Sequence, residues 1–239
     1  MRSNSQLSDP EFVCRSVKEA FFFDNEALAS KGLFELLKRY FNEERYNALV
    51  SLRLEQYFYH QWRRHRASLA EIIRDKKLRA LLISNPRLFF KGLKYRTAYK
   101  LYGLAGRYMT RHLRIRHACS ISVHAKIGKN LWGIFRNIQM TAETVIGRNA
   151  YIEANVSIAA LYDPYLERQG LPLPAKLKGA PVIGDNVVIH TGAVLLGRIT
   201  VGNNAVIGAN SLVLSSVPAD ATVLGVPARV IWRRKNKEG

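Results

Sequence analysis

The stretch VIGDNVVIHTGAVLLGRITVGNNAVIGANSLVL, residues 182–214, returns an aliphatic residue at every sixth position. A period of six fits neither the 3.6 residues of an α-helical turn nor the two-residue alternation of a β-strand. Short strands of this size cannot bury an apolar face alone, so a fixed repeat predicts that they stack into a solenoid. Three hexads per coil predict a triangular prism whose interior holds these six residues: Ile183, Ile189, Leu195, Val201, Ile207 and Val213.

The same period extends towards the N-terminus, starting at Ile121. It slips by one residue around Gly133, resumes at Ile134, and is interrupted by an excursion over about 161–181. Gly and Asn recur between the hexads, where they favour tight corners. We therefore predict a β-solenoid over 121–239, with a loop excursion and a basic C-terminal tail.

Residues 1–120 space their apolar side chains three and four apart, which predicts an α-helical domain. Ser68 and Glu71 have the spacing of a capping box, which predicts that a helix begins there. Pro86 predicts the start of a further helix that runs through the basic and aromatic segment to His117.

The positive charge is concentrated in one quarter of the chain. The net charge is +19, and residues 61–120 hold sixteen Lys and Arg against two acidic residues. Basic and aromatic residues on helices suit an anionic membrane surface, a nucleic acid, or a solvated face. We expect no nucleic-acid partner, because no nucleic-acid-binding motif is present, and keep the anionic membrane surface and the solvated face open.

Two features bear on the cellular compartment and on metal binding. No apolar run approaches the roughly 20 residues of a membrane span, and no secretory signal pattern is visible, so we expect a cytoplasmic protein, with peripheral contact to the inner face of the membrane as a further expectation. The two cysteines, Cys14 and Cys119, form no cluster with histidines, and we expect neither a disulfide framework nor a metal site.

The repeats, followed by GANSLVLSSVPADATVLGVPARVI, resemble the left-handed parallel β-helix acyltransferases with hexapeptide repeats. The resemblance covers residues 121–232 and is greatest to the serine acetyltransferase branch, which includes acetyltransferases of capsule and lipopolysaccharide assembly. It implies an all-β left-handed parallel β-helix for the C-terminal half and acetyl-CoA as the donor, without a metal. It also implies a homotrimer, and the helical domain could join two trimers into a pair.

Acetyl transfer needs a base that takes a proton from the acceptor, and histidine suits this role because it titrates near neutral pH. The resemblance would place the family's two histidines at Ile134 and Ala154, so the usual serine acetylation machinery is not expected. His190 is the candidate base, because it occupies an outward position of its hexad. Asp163 and Glu167 lie in the excursion, where related sugar enzymes keep their base. Each candidate could instead be an ordinary surface or interface residue, as could the weaker candidates Glu153 and His124.

For the donor, the resemblance implies a lining along the last coils. It consists of Ala193, Ala209, Ser215 and the backbone of Gly197, with Arg229, Arg233 and Arg234 for the phosphates. Arg suits phosphate because its planar guanidinium donates two parallel hydrogen bonds.

From these features we expect an acetyl-CoA-dependent acetyltransferase that acts on a sugar of a cell-surface polysaccharide or of its lipid-linked precursor. In that reaction, a general base would activate an acceptor hydroxyl or amine. The alternatives are a serine acetyltransferase and a noncatalytic β-helix scaffold.

Overall fold

The computed structural model describes residues 14, 16–20, 40, 42–74, 86–161, 168 and 178–233. Its helices are α1 (Val17–Ala20), α2 (Glu44–Arg74) and α3 (Pro86–His117). The helix predicted from Pro86 is confirmed, whereas the start predicted at Ser68 is wrong, because α2 continues through that position. Ser68 Oγ instead donates to the carbonyl of Arg64 at 3.2 Å, a bond that a serine inside a helix commonly makes.

Helices α2 and α3 pack antiparallel to each other. Trp62, beyond the middle of α2, stacks on Tyr99, just before the middle of α3, with ring centroids 5.6 Å apart. Where α2 begins and α3 ends, Asn47 Oδ1 lies 3.0 Å from Nε2 of His117, which is buried. His117 is thus a core residue of the helix pair.

Short strands wind into a prism with three sheets. The strands are β1 (Ser120–Ile121), β2 (Lys126–Ile127), β3 (Trp132–Gly133), β4 (Gln139–Met140), β5 (Val145–Ile146), β6 (Tyr151–Ile152), β7 (Ser157–Ala159), β8 (Val182–Ile183), β9 (Val188–Ile189), β10 (Val194–Leu196), β11 (Thr200–Val201), β12 (Val206–Ile207), β13 (Leu212–Val213), β14 (Ala221–Gly225) and β15 (Ala228–Arg233). Sheet A contains β1, β4, β7, β10 and β13; sheet B contains β2, β5, β8 and β11; sheet C contains β3, β6, β9, β12, β14 and β15. All pairings between these strands are parallel except the final one, β14 with β15, which is an antiparallel hairpin.

The predicted aliphatic positions fill the prism. From Ile127 to Val213 the inward-facing residue of each two-residue strand is buried, as the period of six predicts. The one wrong position is Ile134, which is 44% exposed. Gly133 takes the inward place opposite Ile152, and a Cβ there would lie 1.8 Å from the Ile152 carbonyl oxygen. The extra residue in the repeat therefore lies between Gly133 and Met140, one hexad later than predicted. The backbone of Ile152 leaves no room for a side chain at Gly133.

Asparagines shape the corner between sheets B and C. Asn130, Asn149, Asn186 and Asn204 have φ of 58°, 56°, 57° and 58°, the left-handed conformation that asparagine tolerates. Each side-chain amide also donates to the residue one coil further on, at 2.9–3.0 Å, and the ladder ends on Asp220. The corner residues thus supply both the turn and a hydrogen-bonded ladder along the prism.

Helix α2 covers the first coil of the prism. The side chain of Arg53, which is fully buried, donates to the carbonyls of Ile127 at 2.8 Å and Gly128 at 2.6 Å. Gln56 Nε2 donates to the carbonyl of Ala125 at 3.1 Å. These contacts satisfy backbone groups at the edge of sheet B, an edge that would otherwise be open to pairing with another strand.

The division of the chain into two domains at residue 120 stays a prediction, although α3 ends at His117 and β1 begins at Ser120. Across the described residues, no helix has the apolar character that crossing a membrane requires.

One buried carboxyl in the helix pair predicts a pH-dependent stability. Burial raises the pKa of Glu55 to about 7, and the hydrogen bond from the Thr110 hydroxyl, at 2.5 Å, only partly opposes this. A raised carboxyl pKa means that the folded state holds the proton more tightly, so stability falls as pH rises from about 4.5 to about 7. We expect Glu55→Gln to remove this dependence, and to raise the unfolding free energy at pH 8 by on the order of 2 kcal/mol. Urea unfolding at pH 5 and pH 8 checks it; an equal pH response in both proteins would contradict it.

Candidate acyl-transfer site

Five residues stack in one column along the corner that leads from sheet C to sheet A. In the order of the coils they are Ile134, Glu153, His190, Gly208 and Leu224. Backbone bonds fix the stacking: Glu153 N–H donates to the carbonyl of Ile189, and His190 N–H to that of Ile207, both at 3.0 Å. We call this set the corner column.

Within the corner column, His190 and Glu153 form a hydrogen-bonded pair. His190 Nδ1 lies 3.2 Å from Glu153 Oε1, and the two side chains are 40% and 22% exposed. The other carboxylate oxygen, Oε2, accepts the backbone N–H of Thr191 at 2.9 Å. The carboxylate is therefore held from two sides and in turn orients the imidazole.

The electrostatics of this pair suit a general base. The backbone N–H of Thr191 lowers the pKa of the Glu153 carboxyl, and the hydrogen bond and charge of His190 lower it further, while partial burial opposes them. An ionised Glu153 accepts a hydrogen bond from Nδ1–H of a neutral His190, so the free lone pair lies on Nε2. A histidine oriented by a carboxylate can take a proton from a hydroxyl and stabilise the resulting imidazolium.

One coil beyond His190, the column has a glycine, and the side chain of Leu224 packs against it. Gly208 lies one coil beyond His190, and a Cβ there would meet Leu224 Cδ1 at 2.4 Å. Exposed Ala209 follows Gly208, and exposed Arg229 pairs with Leu224 across the hairpin. His190, Ala209 and Arg229 thus lie along one side of the prism, over two coils and the hairpin.

The other residues that the sequence suggested for acetyl-CoA binding lie away from the corner column. Gly197, with φ of 82°, and exposed Ser215 follow sheet A strands, at the corner between sheets A and B. The Gly197 N–H is already bonded to the carbonyl of Ala159 at 3.0 Å, so it has no free donor for a ligand. Ala193 is fully buried, and its proposed lining role is wrong because the fifth hexad position faces the prism interior. Arg233 is exposed at the end of β15.

Three candidates fall outside the described residues: Asp163 and Glu167 in the excursion, and Arg234 in the tail. His124 lies in the first coil, with its Nε2 3.4 Å from the Tyr59 hydroxyl of α2. This contact joins the helix to the prism, and His124 lies far from the corner column. In the described part of the chain, no group of three His, Cys, Asp or Glu side chains is placed to hold a metal ion.

The composition of the site could be read from the sequence only in part. His190 and Glu153 each directly follow an inward isoleucine of a sheet C strand, Ile189 and Ile152. If the hexads are counted without the excursion, the two residues fall at the same position of successive coils, one above the other. Without that step, Glu153 remained a secondary candidate.

Comparisons with known proteins agree on one class. Residues 180–215 match the family model described as bacterial transferase hexapeptide (six repeats). Over 142 residues, the chain is 38% identical to a serine acetyltransferase of Staphylococcus aureus, which covers 56% of this chain and 60% of that protein. The chain thus spans less than two thirds of the length of this curated relative.

Solved structures share the fold. A serine acetyltransferase from Vibrio cholerae superimposes with a TM-score of 0.59 at 22% identity, covering 93% of this chain and 68% of that one. A serine acetyltransferase in complex with CoA superimposes with a TM-score of 0.56 at 23% identity, covering 90% of this chain and 70% of that one.

These findings correct one expectation from the sequence. A sugar acceptor in a surface polysaccharide is wrong as the main interpretation, because the relative at 38% identity and the structural neighbours are serine acetyltransferases. Although Ile134 and Ala154 are not histidines, the corner column has a histidine, His190, at another coil. Residues 180–215 of the prism thus match the hexapeptide-repeat transferases, the solved structures share the fold of the chain, and the curated relative at 38% identity is a serine acetyltransferase.

Proposed function

We propose that the protein is an acetyl-CoA-dependent acetyltransferase that transfers the acetyl group to the hydroxyl of serine. The observation that carries this proposal is the pair formed by His190 and Glu153, an oriented base on the outside of the prism. The acceptor is inferred from the serine acetyltransferase of Staphylococcus aureus that shares 38% of its residues with this chain over 142 positions.

In the proposed reaction, the serine oxygen attacks the carbonyl carbon of the thioester while His190 Nε2 takes the hydroxyl proton. Collapse of the tetrahedral intermediate breaks the carbon–sulfur bond, and the imidazolium returns the proton to the leaving thiolate. The products are O-acetylserine and CoA. Glu153 holds Nδ1 throughout, so it acts as a positioning residue and does not touch the substrate.

The corner column explains how a chain with Ile134 and Ala154 could retain this chemistry. Ile134 lies two coils before His190, a separation of about 10 Å at the spacing of neighbouring strands. The proposed base therefore lies about 10 Å further towards the C-terminal hairpin than the position that the resemblance assigns to a family histidine. The reacting thioester would lie beside Gly208 and Leu224, one coil and two coils beyond His190.

For donor binding, we expect Arg229→Ala to weaken acetyl-CoA binding about 10-fold, as loss of one charge-assisted phosphate contact would. Arg229 is exposed on β15, beside Leu224 of the corner column. Calorimetric titration with acetyl-CoA measures the effect. Arg136→Ala, which removes an exposed arginine of an earlier coil, is the matched control and should bind as the wild type does. Equal affinity of the Arg229 variant and the wild type would contradict the assignment of the phosphate site.

We further propose a homotrimer, with the site completed by a neighbouring prism. The outer face of sheet C supports this, since Trp132, Tyr151, Val188 and Val206 form a partly exposed apolar row beside the corner column. Light scattering coupled to gel filtration should give a mass of three chains, or of six where two trimers pair, and a monomer would contradict the trimer. The pairing of two trimers and a cytoplasmic location stay predictions, and an anionic membrane surface is kept as a proposed partner of residues 61–120.

The test of the proposed activity is CoA release from acetyl-CoA, followed with a thiol reagent in the presence of single amino acids. The proposal predicts release that depends on serine, and slower release with threonine or alanine. If the protein binds acetyl-CoA but releases no CoA with any amino acid, serine is not the acceptor. If it does not bind acetyl-CoA at all, the noncatalytic scaffold is the better interpretation.

A further inference from the structure

Helix α3 has two different apolar faces. The inner face packs on α2: Leu113 is buried, Tyr102 lies 6.2 Å from Phe58 between ring centroids, and Gly103 lies against Trp62. The second face is turned away from α2. The large apolar side chains of this face are exposed, because only the inner face packs on α2.

The exposed apolar side chains of this second face form a row along the helix, which we call the outer stripe. Its residues are Leu93, Leu101, Leu104, Tyr108 and Ile115, with exposed fractions of 48, 60, 57, 63 and 71%. Their spacings of eight, three, four and seven residues keep them within about 80° of the helix circumference. The stripe extends over about 33 Å of helix. Isolated exposed apolar residues are ordinary, but an aligned row of this length indicates an interaction surface.

Basic side chains border the outer stripe on both sides. On one side, the exposed residues are Arg96, Lys100, Arg107, Arg111 and Arg114; on the other they are Lys94 and Arg116. The sequence of α3 contains nine Lys and Arg and no Asp or Glu. The long stems of Lys and Arg can lie along apolar surface while their charged ends reach a more polar layer.

Two partners could cover the outer stripe, a second copy of α3 or a lipid surface, and the charges on its borders favour the lipid surface. A second copy of α3 would bring two uniformly positive borders within a Debye length of each other, and no carboxylate on either helix would compensate. An anionic lipid surface matches both parts of the pattern, because the headgroups neutralise the borders while the stripe enters the headgroup–acyl boundary.

We infer that the outer stripe of α3 with its basic borders is a docking surface for an anionic lipid bilayer, on which the helix lies parallel to the membrane plane. This contact lies on the helix pair and does not depend on acetyl transfer, so it can be present or absent whatever the acceptor is. The inference thus assigns the membrane contact to one face of α3 and not to the whole positively charged region of residues 61–120.

The test is co-sedimentation of the full-length protein with vesicles of phosphatidylcholine, with and without phosphatidylglycerol. We expect binding only to the anionic vesicles, and release by added salt. The double variant Arg107→Gln, Arg111→Gln should bind them roughly 30-fold more weakly. The double variant Leu101→Ser, Leu104→Ser keeps every charge, and its binding should fall about 10-fold. Its matched control is Leu214→Ser with Ile231→Ser, which removes exposed apolar residues from the prism.

The controls also identify the outcomes that overturn the inference. No preference for anionic vesicles would do so, as would equal loss of binding in the prism control. Light scattering on the same samples tests the competing occupant. If Leu101→Ser with Leu104→Ser lowers the number of chains per particle, the stripe is an interface between copies and the lipid inference is wrong. Circular dichroism checks that each variant keeps its helix content, which is expected because the substituted residues are exposed.

Discussion

Replacing His190 by alanine should lower kcat/KM for acetyl transfer to serine by about 10²–10⁴-fold, the range that a general base contributes. Acetyl-CoA binding should stay within a factor of two of the wild type, because the proposed phosphate contacts lie on the hairpin, away from the imidazole. Steady-state thiol release and calorimetry on the same protein measure the two quantities. A loss of turnover without a loss of donor binding separates a role in the chemical step from a role in holding the prism together.

Two further variants test the geometry around His190. Glu153→Gln keeps an acceptor for the Thr191 N–H, but its amide can donate to Nδ1 and so favour the tautomer whose Nε2 carries the proton. We expect a loss of roughly 10–100-fold in kcat, with little change in donor binding. His124→Ala removes the exposed histidine of the first coil and should stay near wild-type activity. Near-normal turnover of the His190 variant, or an equal loss in the His124 variant, would refute the assigned base.

The second large effect concerns stability. Arg53→Met should lower the free energy of unfolding by about 3 kcal/mol or more, because it leaves the buried carbonyls of Ile127 and Gly128 without their charged donor. Methionine has a similar length and keeps most of the apolar packing, so the change isolates the hydrogen bonds. Urea unfolding, followed by fluorescence of the three tryptophans, measures the effect.

Two substitutions on α2 make this test specific. Arg53→Lys keeps the charge but offers a single ammonium in place of the guanidinium fork, and its loss should be intermediate. Arg63→Met removes an exposed arginine of the same helix and should change stability by less than about 0.5 kcal/mol. If Arg53→Met proves no more destabilising than Arg63→Met, the buried arginine does not hold the helix on the first coil.

The prism was predictable because its physical cause is local. One aliphatic residue in six must face inwards on every coil, and the pattern from Ile183 to Val213 is visible without knowledge of any other residue. The pattern places Ile134 wrongly, because Gly133 occupies the inward position and a glycine cannot be recognised in a pattern of aliphatic residues. Ala193 could have been placed correctly, because its hexad position already predicted a buried side chain.

The contacts between distant segments were less accessible. Arg53 is one of fifteen Lys and Arg in the sequences of α2 and α3. Only its place among Leu49, Leu52 and Gln56, which are spaced three and four residues apart, indicates the buried face. The pairing of Glu153 with His190 spans the excursion, so it required the register of the coils. The acceptor could not be read at all, because it depends on the shape of a cleft that the neighbouring chain would help to form.

The most direct test of the central claim is a crystal structure of the protein with bound CoA. The claim is that the corner column, and not another edge of the prism, is where acetyl transfer takes place. It predicts that the CoA sulfur lies beside Gly208 within reach of His190 Nε2, with the phosphates near Arg229. A CoA molecule whose sulfur lies away from His190, at a site that excludes the corner column of every chain in the assembly, would contradict it.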